Sequence, residues 1–211
     1  MLELGSTDMD LANKQGTPEW RAARNSRIGS SDIAVILGKS PYKTSRALWN
    51  EKTGKVAVKD ISFLPHIKRG NEGETICRAI LEALTNVEYE MPVLAHKTHP
   101  FLTASLDGIV MGKHLIEIKT MSDAAFKLAS EKSVIPEHYL IQVQWQLMIA
   151  GELAPVGYFV PFRPESKEHA RILVEPDAAM FKTMLEAALE FHEWMALDLP
   201  PPDPFENNEE F

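Results

Sequence analysis

Ser105-Leu106-Asp107-Gly108, followed after eight further residues by Glu117-Ile118-Lys119, is the stretch that decides how this chain folds. Around it, residues 87–95, 101–106, 108–111 and 114–119 form short runs rich in β-formers separated by turn residues, which predicts a meander of strands. A chain that doubles back as a hairpin brings Asp107 and Glu117 to one surface of the sheet. Side chains two apart on a strand share a face, so Lys119 sits beside Glu117 while Ile118 turns the opposite way into apolar packing. Two carboxylates and an ammonium group converge. The plain alternative for the bare pattern is a surface turn at Asp107-Gly108 and an exposed strand pair at Glu117 and Lys119.

Such a cluster suits Mg²⁺, a hard ion that takes oxygen ligands and needs only one or two carboxylates besides water and a substrate phosphate. The ion would polarise a phosphodiester and lower the pKa of an attacking water, and Lys119 would orient that water, take its proton or neutralise developing charge. Glu74, on a preceding helix, is a third acid within reach of the same ion, or else the partner of Arg78 four residues on. Tyr139, Gln142 and Gln146 recur at three- and four-residue intervals and line one helical stripe, which either faces water or presents Gln142 to a phosphate or the nucleophilic water and Tyr139 to a sugar. Arg24 and Ser31 flank a Gly29 turn at a helix start, where an anion is favoured. A Ser cap with Arg24 on a solvated face is the simpler account of that pair.

Beyond this centre, a helical pattern runs from Pro18 to near Gly29, and a second helix spans 33–37 between Gly29-Ser30-Ser31-Asp32 and Gly38. Further helices are predicted over 45–52, 67–84, 122–130, 136–150 and 177–197, with strands over 156–160 and 170–174. The 67–84 helix is expected to bury Ile76, Ile80, Leu81 and Leu84 and to end at Asn86. We read residues 1–17 as a flexible leader, 18–200 as a single α/β domain and 201–211 as an acidic tail.

The chain of 211 residues is long enough for one core and carries an ordinary 25% of charged residues. Its net charge of -8 speaks against a polyanionic partner until the distribution is considered. Residues 20–55 carry eight basic side chains against Asp32 and Glu51, whereas residues 175–211 carry ten acids against Lys182 alone. One surface is therefore expected to be cationic. Cys77 is the sole cysteine, which excludes an internal disulfide and a multi-cysteine metal cage, and the histidines show no i, i+4 zinc pair. No stretch has the length and apolarity of a membrane span, and the polar N-terminus is unlike a signal peptide, so a cytoplasmic location is expected.

In order and spacing, residues 20–42 (WRAARNSRIGSSDIAVILGKSPY), 69–74 (RGNEGE), 105–108 (SLDG), 117–119 (EIK) and 139–146 (YLIQVQWQ) resemble the phage lambda-type exonucleases, also called YqaJ-like viral recombinases, of the PD-(D/E)xK nuclease superfamily. The resemblance implies a restriction-endonuclease-like α/β core, a central mixed twisted sheet flanked by helices. It implies that Asp107 and Glu117 ligate Mg²⁺, two ions per site with Mn²⁺ as a substitute, with the Ile118 carbonyl as a further ligand and Glu74 as the additional acid. Lys119 and Gln142 would attend the nucleophilic water, and Arg24 and Ser31 would hold the 5′-phosphate of a double-stranded DNA end. The implied activity is 5′-to-3′ digestion of one strand, leaving 3′ overhangs for recombination through a single-strand annealing protein. A ring-shaped homotrimer would place the basic surface inside and the acidic one outside, and the source would be a phage or prophage acting in a bacterial cytoplasm. Leu106 departs from the proline usual before this Asp. A sister group of iron-sulfur nucleases needs four cysteines and is excluded by Cys77 standing alone. The competing readings are an endonuclease on the same core, and a catalytically silent DNA-binding or scaffold protein.

Overall fold

The computed structural model of the protein describes residues 6–7, 24–58 and 61–202. Helix α1, Ser30–Ile36, starts where Gly29 stays extended and donates its amide to Asp32 Oδ2 at 2.9 Å, and it ends before Gly38, whose φ of 67° favours glycine. The helix predicted from Pro18 lies mostly outside the described residues; Arg24 and Asn25 are helical and the turn closes by Ser26. Helix α2, Ser45–Lys52, is capped by Thr44, whose hydroxyl accepts from the Ala47 amide. Helix α3, Pro65–Thr85, opens on a proline in its first turn and closes at Asn86 in the left-handed region.

Four strands follow α3: β2 (Val93–Ala95), β3 (Thr103–Ser105), β4 (Gly108–Val110) and β5 (His114–Thr120). Helices α4 (Asp123–Lys132) and α5 (Glu137–Ala150) lead to β6 (Gly157–Arg163), β7 (Glu168–His169), β8 (Ile172–Val174) and the last helix, α6 (Ala178–Ala196). A further short strand, β1 (Ser6–Thr7), pairs antiparallel with β2, so these two residues of the expected leader are part of a sheet. Strands β4 to β8 make a five-stranded sheet in which β5 and β6 run parallel and the other pairs antiparallel. This is the expected mixed central sheet.

The expected meander is modified in one instructive way. β3 and β4 are the two halves of one bent strand, both facing the segment that ends in β2. Val93 pairs with Ser105, and Glu90 bridges Ile109, so three residue steps on one side oppose four on the other. One extra residue between Ser105 and Ile109 is a β-bulge, and Asp107 lies within it. The core side alternates accordingly: Leu102, Ala104 and Leu106 point into the main core, and then, after the bulge, Ile109 does.

Two cores sandwich the sheet. On one face Leu115 and Phe159 pack with α1, α5 and α6 through residues such as Ile33, Trp145 and Phe191. On the other, Ile116, Ile118, Val160 and Phe162 meet Cys77 and Leu81 of α3. The stripe predicted for α3 is thus corrected: its buried residues are Gly73, Cys77 and Leu81, while Ile76 and Leu84 are exposed. Gly73 is pressed so close to β5 that a Cβ there would collide with Thr120 Oγ1, which leaves no room for a larger residue on that side of the helix. Among the described residues, no helix is long and apolar enough to cross a membrane.

Candidate active site

Register sets the geometry of the charged cluster. With Gly108 opposite Ile116, Asp107 at the end of β4 stands level with Glu117 on β5. Its Oδ2 accepts a hydrogen bond from the Ile118 amide at 2.8 Å, and its own carbonyl accepts from Arg78 Nη1 at 2.7 Å, so the bulge is fastened to both β5 and α3. Past Asp107, β5 has no strand neighbour on this edge among the described residues. A residue in a strand directs its N–H and C=O to the same side, so the Ile118 carbonyl also points toward this open edge.

Glu117 is the centre of the cluster. Its side chain is 1% exposed, and three donors close on its two oxygens: Lys119 Nζ and Gln142 Nε2 at 2.5 Å from Oε1, and Gln146 Nε2 at 2.5 Å from Oε2. A buried carboxylate is costly unless its oxygens are hydrogen-bonded, and these three donors meet that need. Burial lifts Asp107 well above the usual carboxylate range, the nearby Glu117 adds to this, and Lys119 only partly offsets it. Burial also works against the charge on Lys119, but Glu117 and Asp107 outweigh it and hold the ammonium above its ordinary pKa. The two carboxylates therefore favour the charged form of Lys119 in this arrangement.

Glu74 belongs to the same electrostatic group. Burial raises its pKa, Lys119 and Arg78 pull it down, and Glu117 pushes it up. Yet among the described residues no three His, Cys, Asp or Glu side chains form a ready cage for a metal ion. The donors on hand are the Asp107 and Glu117 carboxylates and the Ile118 carbonyl, with Glu74 near enough to feel the charges of Lys119 and Glu117. These are hard oxygens gathered at one open edge, and this donor set fits a divalent cation such as Mg²⁺.

The stripe on α5 is resolved in favour of the sheet. Gln142 and Gln146 both turn to Glu117, and Tyr139 lies half-buried with Lys119 Nζ 5.5 Å from its ring centroid. Sequence reasoning places Gln146 on the stripe without giving it a role of its own. In the structure it is fully buried, and its Oε1 has no hydrogen-bond partner among the described residues. Its spacing from Gln142 is the signal that could have found it. Gln144, between them, serves structure instead, donating to the Glu175 carbonyl and accepting from the Asp177 amide.

Arg24 and Ser31 form a second constellation at the head of α1. Arg24 Nη2 donates to Ser31 Oγ at 3.2 Å, and both residues are exposed. Beneath them Lys52, almost fully buried, donates to the carbonyls of Arg24 and Arg27 at 2.8 and 2.6 Å and pairs with Asp32 at 2.7 Å. No local pattern hints at this brace, because its parts lie 20 residues or more from Lys52 along the chain.

Comparisons with known proteins agree with this architecture. The profile of the YqaJ-like viral recombinase domain matches residues 19–152. The chain is 29% identical over 185 residues to the uncharacterized protein YqaJ of Bacillus subtilis (strain 168), covering 82% of this chain and 54% of that protein. It is 27% identical over 164 residues to the uncharacterized protein R354 of Acanthamoeba polyphaga mimivirus, covering 68% of this chain and 29% of that one. The chain thus spans about half or less of the length of these curated relatives. Among solved structures, an alkaline exonuclease from Laribacter hongkongensis superposes with a TM-score of 0.72 at 22% identity, covering 86% of this chain and 94% of that one. Its complex with dAMP gives 0.74 at 23% identity with the same coverage. A phage-related exonuclease from Haemophilus somnus 129PT gives 0.55 at 14% identity, covering 82% and 96%. The fold is the restriction-endonuclease-like one shared with these exonuclease structures.

Proposed function

The chain belongs to the YqaJ-like viral recombinase domain family, and on that premise we propose that it is a nuclease acting on DNA, a divalent-metal-dependent exonuclease that digests one strand of linear duplex from its 5′ end. The observation that carries the reading is the buried Glu117 carboxylate, level with Asp107 and ringed by Lys119, Gln142 and Gln146 at an open sheet edge. Phosphodiester hydrolysis asks for a clamp on the developing charge of the phosphorus and an oriented water, and this grouping supplies the residues for both.

In this proposal Asp107, Glu117 and the Ile118 carbonyl hold Mg²⁺, one or two ions, with Glu74 as the additional acid. The bound metal supplies Lewis acidity toward the scissile phosphate and acidifies water. Lys119 keeps its proton and neutralises charge on the phosphate oxygens. Gln142, already pinned through its Nε2 to Glu117, leaves its carbonyl oxygen to receive a hydrogen bond from the attacking water. Tyr139 lies against the sugar beside Lys119. Arg24 and Ser31 receive the terminal 5′-phosphate, which gives the digestion its direction and leaves a 3′ overhang. The assembly is a ring-shaped trimer, and a single-strand annealing protein takes up the product. The trimer and the annealing partner rest on the resemblance of the sequence motifs, and light scattering of the purified protein tests the trimer.

One experiment separates the readings. End-labelled linear duplex and closed circular DNA are incubated with Mg²⁺ and with chelator. Loss of the linear DNA from its 5′ ends in Mg²⁺ alone, with circles untouched, is the expected result. Nicked or linearised circles would mark an endonuclease on this core, and no cleavage of either DNA would leave a silent binding protein.

A further inference from the structure

Tyr42 is the most exposed large hydrophobic side chain among the described residues, at 75%, and yet it is held in place. Before it, Lys39 pairs with Glu137 at the head of α5 at 3.0 Å; after it, Lys43 pairs with Glu51 of α2 at 2.6 Å. The Tyr42 amide donates to Ser40 Oγ at 3.2 Å. Its ring meets His138 edge-on, centroids 5.7 Å apart at 87°, and His138 in turn lies 4.0 Å from Tyr139. Burial first, and then the charge and hydrogen bond of Tyr42, push the Tyr139 hydroxyl up to about 12. A line of rings therefore leads from solvent, through Tyr42, His138 and Tyr139, to the Lys119 ammonium and Glu117.

An aromatic ring held by its edge contact and by its pinned backbone while its surface stays in water gains little from burial within the chain. It is, however, well prepared for a flat partner, because the cost of ordering it has already been met. Nucleobases are such partners, and stacking accepts any of them, as digestion of arbitrary sequence requires. A second feature lies on the same line: His138 Nε2 is buried and has no hydrogen-bond partner among the described residues.

We infer that Tyr42 is a DNA-contacting residue whose ring stacks on a nucleobase of the strand that lies across Lys119. The inference rests on the nuclease reading and adds to it a residue that neither the acid cluster nor the Arg24–Ser31 pair includes. The stacked base fixes the nucleotide next to the scissile bond, so Tyr42 acts on substrate affinity and not on the chemical step.

The test uses the full chain and a fluorescein-labelled, 5′-phosphorylated linear duplex. Anisotropy in chelator reads binding without cleavage, and steady-state digestion in Mg²⁺ reads KM and kcat. Tyr42→Ala is expected to weaken binding and raise KM roughly tenfold while kcat stays within about twofold. Tyr42→Phe, which keeps the ring, recovers both, and Tyr42→Trp binds at least as tightly. Unchanged affinity and KM in Tyr42→Ala overturns the inference. So does a Tyr42→Phe variant as weak as Tyr42→Ala, which would place the effect in the hydroxyl and not in the ring. If the wild type binds duplex but cuts none, the nuclease reading fails while the anisotropy comparison still decides the role of Tyr42; if it cuts normally and the Ala variant is unaltered, the inference alone fails.

Discussion

At the scale of single residues, the cluster around Glu117 makes two side chains with similar contacts differ in consequence. Lys119→Ala removes a fixed charge that the proposed reaction uses, so cleavage should fall by about a hundredfold or more while duplex binding in a gel-shift assay survives. Unimpaired cleavage would take Lys119 out of the mechanism. Gln146→Leu leaves Glu117 Oε2 without its donor and lets the carboxylate turn, and we expect kcat/KM to fall ~10–100-fold with weakened Mg²⁺ affinity by calorimetry. A Gln146→Leu enzyme with wild-type kinetics would make that amide a packing group only. Asp107, Glu117 and Lys119 are legible in the sequence because two local rules, the hairpin and the two-residue period of a strand, act within a short span. Gln146 is not, because a polar stripe on a helix reads the same whether it meets water or a buried carboxylate. From Val143 onward α5 is buried all round, and only the fold reveals that this half of the helix has no face in solvent.

At the scale of elements, the closest fit is between α3 and β5. Gly73→Ala should destabilise the protein by ~1–3 kcal/mol in chemical denaturation, since the new methyl runs into a short, stiff side chain. Thr120→Ala on its own should be neutral or slightly stabilising, because the Thr120 hydroxyl is buried without a partner. The double variant should regain most of the loss; failure to do so would place the clash elsewhere. The same contact explains why periodicity misleads on α3. Large apolar side chains favour Ile76 and Leu84, but a helix lying this near a sheet approaches through its smallest residues, Gly73 and Cys77. The strand predicted over 156–160 is also longer than expected, running through Pro161 to Arg163. Pro161 falls where the neighbour changes from β8, paired as far as Phe159, to β7, paired from Phe162, so little of the ladder is lost. By contrast α2 matches its expected bounds, because its cap and its length are both written locally.

At the scale of the whole molecule, Cys77 is a built-in reporter of integrity. It is fully buried, and burial, helped by the Asp107 charge and opposed by Arg78, pushes its thiol up to about 12. Thiolate is the reactive form, so at about pH 8 the native protein should resist a disulfide reagent and take up one equivalent only after denaturation. Fast labelling under native conditions would mean that α3 lifts readily from the sheet. The charge segregation seen in the sequence, basic toward the head of the chain and acidic toward its end, predicts that duplex affinity drops steeply with salt despite a net charge of -8. A salt-independent affinity would speak against a phosphate-binding surface. Finally, the single surplus residue between Ser105 and Ile109 constrains how this gene can change length. A one-codon deletion there would let the ladder from Glu90 to Val93 run on without interruption, and by backbone pairing alone the resulting sheet would be the more regular one. The acid would then point to the opposite side. Lineages that keep the chemistry must tolerate the irregularity, and descendants that lose it gain smoother pairing and an inert scaffold.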